Sequence, residues 1–266
     1  MFSRILFVLA CALALGGPAA AEKRPILFVL TAADHLTLKD GSKHPTGFYA
    51  NELAEPYEEI RKAGYTIEIA TPGGKRPTCD PKSLEARHFT GGEAELARTK
   101  LWMQALPDLA VPKDLARVKM ADYAGLFVPG GHGPMEDLVD NAEVGRLLNE
   151  ALALHRAIGA LCHGPGALLS ARDASGAWPF RGFSVTAFSD AEEPPDLRAK
   201  MIQTPESALT ARGARYSKAA EKYAPHWVSD REVVTGQNPR SARQTAIAFL
   251  HALGAFHING PNLPGH

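Results

Sequence analysis

The chain has 266 residues, and its 29 Lys and Arg side chains balance its 29 Asp and Glu side chains, so the formal net charge is zero at pH 7. This balance gives no attraction to nucleic acid or to an anionic membrane surface, and neither is expected as a partner. After the N-terminal segment, no stretch approaches the ~18 apolar residues that a membrane-spanning helix needs.

The N-terminus has the layout of a secretory signal peptide over residues 1–21. Arg4 is its only charge, an apolar run covers residues 5–15, and Ala19-Ala20-Ala21 follows a Gly-Gly-Pro break. The run is too short to cross a bilayer, and the small residues suit a signal peptidase. Cleavage near Ala21 and a secreted or periplasmic location are therefore predicted. Lipidation at Cys11 is the alternative, which the continuation of the apolar run past that residue disfavours.

Residues 22–266 are predicted to form a single domain in which strands and helices alternate. Apolar runs predict strands over residues 25–31, 65–70, 126–129, 157–161, 183–188 and 232–235. Helices are predicted over residues 51–63, 143–156 and 241–253, with a helical insertion at about residues 89–113. Strands that alternate with helices indicate βαβ units. The sequence therefore predicts a doubly wound, mostly parallel α/β sheet with helices on both faces.

The segment Leu161-Cys162-His163-Gly164 joins a predicted buried strand to a tight turn and an apolar stretch. Such an elbow sets the Cys162 sulfur at a helix N-terminus, where the dipole and free N–H groups favour the nucleophilic thiolate. The adjacent His163 would supply a polarising or proton-carrying group. A buried structural cysteine beside a chance histidine is the alternative, disfavoured by the strand, turn and glycine context.

Other segments are expected to meet Cys162 at one edge of the sheet. Gly130-Gly131 and Phe188-Ser189-Asp190 also follow predicted strands, and ligands of such sheets bind outside the carboxyl ends of the strands. Cys79, the other cysteine of the mature chain, lies in a polar loop. Free thiols are expected, because pairing the two would block the nucleophile.

No cofactor and no metal site are predicted from residue spacing. Gly130-Gly131-His132-Gly133 lacks the Lys-Ser/Thr of a P-loop and the spacing of a dinucleotide-binding motif. His44, His132 and His226 are not spaced as metal ligands. His132 is therefore assigned a structural role. Glu52, taken by itself, fits a solvated acid near a helix start.

Seven ordered blocks between residues 25 and 253 carry a family resemblance, at residues 46–52, 65–74, 81–84, 128–133, 160–165, 185–193 and 234–239. With these blocks the chain resembles the PfpI superfamily, whose flavodoxin-like fold is related to class I glutamine amidotransferases. It is most similar to the branch of heat-inducible chaperones with glutathione-independent glyoxalase (glyoxalase III) activity.

The resemblance implies a nucleophile, a neighbouring histidine and an acid that orients it. The nucleophile falls on Cys162 and the histidine on His163. The acid falls on Glu193, although Asp190 and Glu192 are close enough in the sequence to remain alternatives.

The resemblance also implies a buried carboxylate beside the sulfur, at Glu52, and oxyanion donors at the backbone N–H groups of Gly131 and His163. The implied reaction converts methylglyoxal or a similar 2-oxoaldehyde to a 2-hydroxy acid, with no cofactor, and makes the enzyme a lyase of the D-lactate dehydratase class. The Cys162 hemithioacetal would be rearranged by Glu52. We expect a small-molecule substrate and a homodimer.

Other functions within the superfamily remain open at this point. A cysteine peptidase or amidase would use Cys162, His163 and Glu193 for acyl transfer and would have no use for Glu52. A holdase chaperone would need an exposed apolar patch, and no contiguous one is evident in the sequence. Stress-chaperone or deglycase activity could also accompany the glyoxalase reaction.

Overall fold

A computed structural model describes residues 23–257, so the predicted signal peptide lies outside the described residues. The strands are β1 (Ile26–Val29), β2 (His35–Thr37), β3 (Lys43–Pro45), β4 (Ile67–Thr71), β5 (Lys113–Asp114), β6 (Gly125–Val128), β7 (Ala157–Leu161), β8 (Ser184–Val185), β9 (Arg215–Tyr216), β10 (Trp227–Asp230) and β11 (Val233–Gly236). The helices are α1 (Ala50–Lys62), α2 (Gly92–Ala105), α3 (Pro107–Ala110), α4 (Pro134–Asp137), α5 (Ala142–Ala153), α6 (Pro195–Lys200), α7 (Pro205–Ala211) and α8 (Ala242–His257). Within residues 23–257, no helix is both long and apolar enough to span a bilayer.

Seven strands form the central sheet, in the order β10-β11-β7-β6-β1-β4-β5. Every neighbouring pair is parallel except β10 and β11, which confirms the predicted mostly parallel α/β sheet. The chain runs outward from β1 through β4 to β5, then returns to the other side of β1 with β6. This reversal is the switch point at which doubly wound sheets open a crevice for ligands.

The central strands are buried on both faces because helices cover each face. Alternate residues of β1 divide between two cores: Ile26 and Phe28 face one, Leu27 and Val29 the other. The first core contains residues of α1 and α8, and the second contains residues of α5 and of the 3-10 helix Gly164–Ser170. These layers hold the carboxyl ends of β1, β6 and β7 rigidly at one edge.

Part of the predicted strand at residues 183–188 does not form. Only Ser184–Val185 is a strand, and it pairs with β9 outside the central sheet. The backbone beyond it is bonded elsewhere: Thr186 N–H donates to the Thr235 hydroxyl, and Phe188 N–H donates to the Cys162 carbonyl. That last bond holds the segment against the elbow.

Several short elements had no signal strong enough to predict them, namely the β2–β3 hairpin, β5 beside β4, β9 beside β8, and the antiparallel edge strand β10. The helical insertion expected at about residues 89–113 contains α2 and α3. The helix expected after the elbow is a 3-10 helix of seven residues, Gly164–Ser170.

Gly159 in β7 offers a test of the packing beneath the site. A Cβ at this position would lie 2.3 Å from a Phe127 ring carbon and 3.0 Å from Phe249. Because this core is closely packed, Gly159→Ala should lower the free energy of unfolding by ~1–3 kcal/mol, measured by chemical denaturation. Gly254→Ala in α8 is the matched control. A Cβ there meets no described atom within 4 Å, so stability should rise by about 0.5–1 kcal/mol. Equal stability of the two variants would contradict this account.

Candidate active site

Cys162 occupies a strained elbow directly after β7. Its φ is +60°, a left-handed conformation that non-glycine residues seldom adopt. Two backbone hydrogen bonds hold it there, from Cys162 N–H to the Gly236 carbonyl at 2.9 Å and from Phe188 N–H to the Cys162 carbonyl at 2.8 Å. Gly164 is required next, since a Cβ there would lie 2.4 Å from the Val128 carbonyl oxygen. Strain retained at such a position is typical of a functional site.

A cysteine, a histidine and a glutamate form a hydrogen-bonded series at this elbow. Cys162 Sγ lies 3.2 Å from His163 Nδ1, and His163 Nε2 lies 2.8 Å from a carboxylate oxygen of Glu193. All three are buried, and the Phe188 ring stacks on the imidazole at 4.8 Å. An N–H at Nε2 donating to the carboxylate leaves the Nδ1 lone pair directed at the sulfur.

Of the three acids that the sequence left open, Glu193 is the one that contacts His163. Glu192 accepts hydrogen bonds from the side chains of Gln237 and Asn238, each at 2.8 Å. Asp190 accepts from the Thr204 hydroxyl. Both alternatives therefore stabilise the surrounding loops and are occupied away from the imidazole.

Glu52, in the first turn of α1, is completely buried beside the sulfur. The Gly130 N–H donates to its Oε2 at 2.9 Å, while Oε1 has no hydrogen-bond partner among residues 23–257. Burial raises the pKa of Glu52 to about 8, against smaller opposing effects of the Cys162 thiol and the Gly130 N–H. Glu52 is therefore not the solvated acid that its position near a helix start would suggest. It is a carboxyl group that can exchange a proton near neutral pH.

The thiolate expected at this elbow is opposed by the surroundings of Cys162. Burial, followed by the neighbouring Glu52, raises the pKa of Cys162 well above its usual value, and the Gly131 N–H lowers it only in part. These surroundings favour the thiol over the thiolate, and His163 is the adjacent group that can take the thiol proton. Cys79 is also a free thiol, half-buried in its loop.

The two predicted oxyanion donors belong to backbone near the sulfur. The Gly131 N–H is close enough to Cys162 to lower the pKa of its thiol in part, and the His163 N–H directly follows the nucleophile in the chain. Gly131 has φ +89°, and a Cβ there would lie 2.2 Å from the Gly47 carbonyl oxygen, so only glycine fits. The N–H of Gly131 is therefore held in place by the backbone.

His132 belongs to this site, although sequence spacing assigned it a structural role. Its Nε2 lies 2.8 Å from the second carboxylate oxygen of Glu193, and its ring centre lies 4.1 Å from that of His163. The available signal was its position after Gly130-Gly131, at the carboxyl end of a strand next to β7. His226, by contrast, bonds the Ser217 hydroxyl elsewhere.

His132, His163 and Glu193 are also the described residues best placed to hold a metal ion, since their donor atoms lie within 4.8 Å of one another. Two imidazoles and a carboxylate are a common zinc ligand set. Each carboxylate oxygen already pairs with an imidazole nitrogen at 2.8 Å. The polar atoms are therefore satisfied by one another, and a metal would have to break both bonds.

Comparison with known proteins gives consistent results. A family model described as "ThiJ/PfpI family-like" matches residues 44–219. The protein/nucleic acid deglycase HchA of Pseudomonas aeruginosa is 34% identical over 176 residues, which is 63% of this chain and 58% of that relative. The glutathione-independent glyoxalase HSP31 of Saccharomyces cerevisiae is 28% identical over 86% of this chain and 98% of that relative.

Solved structures extend the similarity to the fold. The crystal structure of glyoxalase III from Candida albicans matches with a TM-score of 0.75 and 26% identity, covering 86% of this chain and 96% of that chain. A 24 kDa rapid encystment protein of Francisella tularensis matches with a TM-score of 0.75 and 29% identity, covering 86% of this chain and 99% of that chain. Since the family model covers more than half of the sequence, the chain belongs to the ThiJ/PfpI family.

Proposed function

We propose that the protein is a glutathione-independent glyoxalase that converts 2-oxoaldehydes to 2-hydroxy acids through a Cys162 hemithioacetal. One observation carries the proposal: a fully buried Glu52 carboxyl, with a pKa of about 8, lies beside the nucleophilic sulfur. A hydrolase that only transfers acyl groups needs Cys162, His163 and Glu193 but not this second carboxyl. The yeast HSP31 sequence and the Candida structure, both named for glyoxalase activity, each align over 86% of the chain and support the same conclusion.

The first step is addition of the thiol to the aldehyde carbon. The sulfur–carbon bond forms as the thiol proton moves to His163 Nδ1, 3.2 Å away. Negative charge develops on the aldehyde oxygen, where the Gly131 N–H can stabilise it. Return of the proton from His163 to that oxygen gives a neutral hemithioacetal.

The second step moves a proton between adjacent carbons. Ionised Glu52 removes the proton from C1, and the electron pair shifts into an enediolate whose charge lies on oxygen. Glu52 then returns the proton at C2, and the hydroxyl proton on the C1 oxygen passes to the C2 oxygen, which leaves a thioester of the 2-hydroxy acid. A proton carrier works best when its pKa lies near the working pH, and burial brings Glu52 to about 8.

The third step is hydrolysis of the thioester. Water adds to the carbonyl with His163 as base, the carbon–sulfur bond breaks, and the thiol of Cys162 is restored. The sum is 2-oxoaldehyde plus water giving 2-hydroxy acid, so no electrons are exchanged with a second substrate. With methylglyoxal the product is lactate, which corresponds to a lyase of the D-lactate dehydratase class.

Deglycase activity is a second candidate, supported by the name of the Pseudomonas relative. It would begin with attack of Cys162 on the carbon of the glycated substrate that was the carbonyl carbon of the 2-oxoaldehyde. Glycated amino acids tested beside methylglyoxal would rank the two activities.

Cys162→Ser should abolish lactate formation from methylglyoxal in the absence of glutathione. The hydroxyl has a much higher pKa than a thiol, so His163 cannot activate it equally well. Cys79→Ser is the matched control and should keep wild-type activity. Retention of more than a small fraction of activity by Cys162→Ser would exclude the sulfur as the nucleophile.

Glu52→Gln should lower the turnover rate by about 10²–10⁴-fold, because the amide keeps the shape of the carboxyl but cannot carry a proton. Cys162 should still add to the aldehyde, so an adduct should accumulate that intact-protein mass spectrometry detects. Glu55→Gln, one turn along α1, is the matched control and should turn over normally. Lactate at wild-type rates from Glu52→Gln would assign the proton transfer to His163 or Glu193. Amide cleavage without lactate in either protein would favour the peptidase alternative.

We also propose that the protein is exported, on the basis of its N-terminal sequence. Protein recovered from the native host should begin at or near Glu22 and should fractionate with the periplasm or the medium. Retention of Met1 in cytosolic protein would contradict export, and a lipid on Cys11 would support the lipoprotein alternative. The expected homodimer stays a prediction, which sedimentation of the same material would test.

A further inference from the structure

The Glu193 carboxylate has an unusual pair of partners. Its side chain is 1% exposed, and each oxygen pairs with one imidazole, Oε1 with His132 Nε2 and Oε2 with His163 Nε2, both at 2.8 Å. A buried carboxylate is costly unless both oxygens accept hydrogen bonds. Burial raises the pKa of Glu193, but the two imidazoles outweigh it and hold the pKa well below its usual value.

Of the two histidines that pair with Glu193, only one continues the hydrogen-bonded series to Cys162. His163 contacts the sulfur, whereas His132 bonds the other carboxylate oxygen and has a side chain 16% exposed. If Oε1 lost its donor, the carboxylate would rotate towards another donor or take up a proton. In either case Oε2 would no longer fix the Nε2–H of His163, and the Nδ1 lone pair would lose its direction towards Cys162.

We propose that His132 is a positioning residue, which acts through Glu193 to keep His163 in the tautomer and orientation that accept the Cys162 proton. The proposal rests on the assignment of Cys162 and His163 as nucleophile and base, but not on the identity of the substrate. A neutral or a protonated His132 can donate this hydrogen bond. The role therefore depends on an N–H group that the side chain places within hydrogen-bond distance of Glu193.

The charges around His132 determine the direction of its effect on pH dependence. His163 and Glu193 contact it from the elbow and from the loop before α6, and His44 of β3 lies 6.0 Å away with Lys82 beside it. Loss of the His132 N–H would raise the pKa of Glu193, and loss of the nearby ring would remove repulsion that lowers the pKa of His163. Cys162 reactivity falls as the pH drops and the groups that assist it become protonated, and this fall is here called the acid limb. Both changes move the acid limb of Cys162 reactivity to higher pH.

His132→Asn and His132→Gln form a matched pair, because both introduce an amide but on side chains of different length. The glutamine amide extends to about the Nε2 position and can still donate to Glu193, whereas the asparagine amide is too short. The acid limb of Cys162 alkylation by iodoacetamide, measured in a Cys79→Ser background, should move up by about one pH unit or more in His132→Asn. It should move up less in His132→Gln, which loses the repulsion from the ring but keeps the donor to Glu193. The turnover number with methylglyoxal should fall in His132→Asn with KM little changed.

His44→Gln is the control, since His44 lies near His132 but does not bond Glu193, and its acid limb should not move. The proposal is overturned if folded His132→Asn keeps the wild-type acid limb, or if His132→Gln shifts as far as His132→Asn. Thermal unfolding of each variant shows whether it is folded, and a variant that only loses stability would keep the wild-type limb. Since alkylation needs no 2-oxoaldehyde, a shift in a protein that makes no lactate would refute the glyoxalase proposal alone.

Discussion

The parallel register of β6 and β7 is the constraint on which the rest of the site depends. Val128 lies opposite Ala160, so Gly130 and Cys162, two residues further along each strand, emerge side by side. A Cβ on Gly130 would lie 2.5 Å from a Glu52 oxygen and 2.6 Å from Cys162 Cβ. The missing side chain thus makes the space in which a carboxyl group and a sulfur can meet. Because layers of helices cover both strands, Glu52 and Cys162 are also buried where they meet.

The two buried glutamates of the site have pKa values shifted in opposite directions. The pKa of Glu52 is raised because burial is opposed only by one backbone N–H and a thiol. The pKa of Glu193 is lowered because two imidazoles pair with its two oxygens. Carboxyl groups whose pKa values are pushed apart in one site usually have separate roles in acid–base chemistry. Here one is suited to carry a proton and the other to remain a fixed negative charge behind His163. This division supports a carbon-to-carbon proton transfer in addition to nucleophilic attack.

The local pattern of apolar residues was sufficient to predict the strands and helices that are buried in the core. The central strands β1, β6 and β7 are continuous apolar runs, and the helices α1, α5 and α8 begin and end within a few residues of the predicted positions. Prediction failed where long-range partners decide the backbone. The segment at residues 183–188 is apolar enough for a strand, but its N–H groups bond Thr235 and Cys162 instead of a neighbouring strand. The two-residue strands β5, β8 and β9 are too short to leave a periodic signal.

The sequence by itself determined that the chain forms a mostly parallel α/β sheet and that Cys162 lies on an elbow, because apolar runs and the glycines of a turn act over a few residues. The adjacency of His163 to Cys162 made that histidine a candidate, and the family resemblance added Glu52 and Glu193. Only the tertiary structure decided that Glu193 contacts His163 and that His132 shares the same carboxylate. It also decided that burial raises the pKa of the Cys162 thiol. Hydrogen-bond partners and burial depend on residues far apart in the chain, and a pKa follows from both, so none of these properties is visible in local sequence.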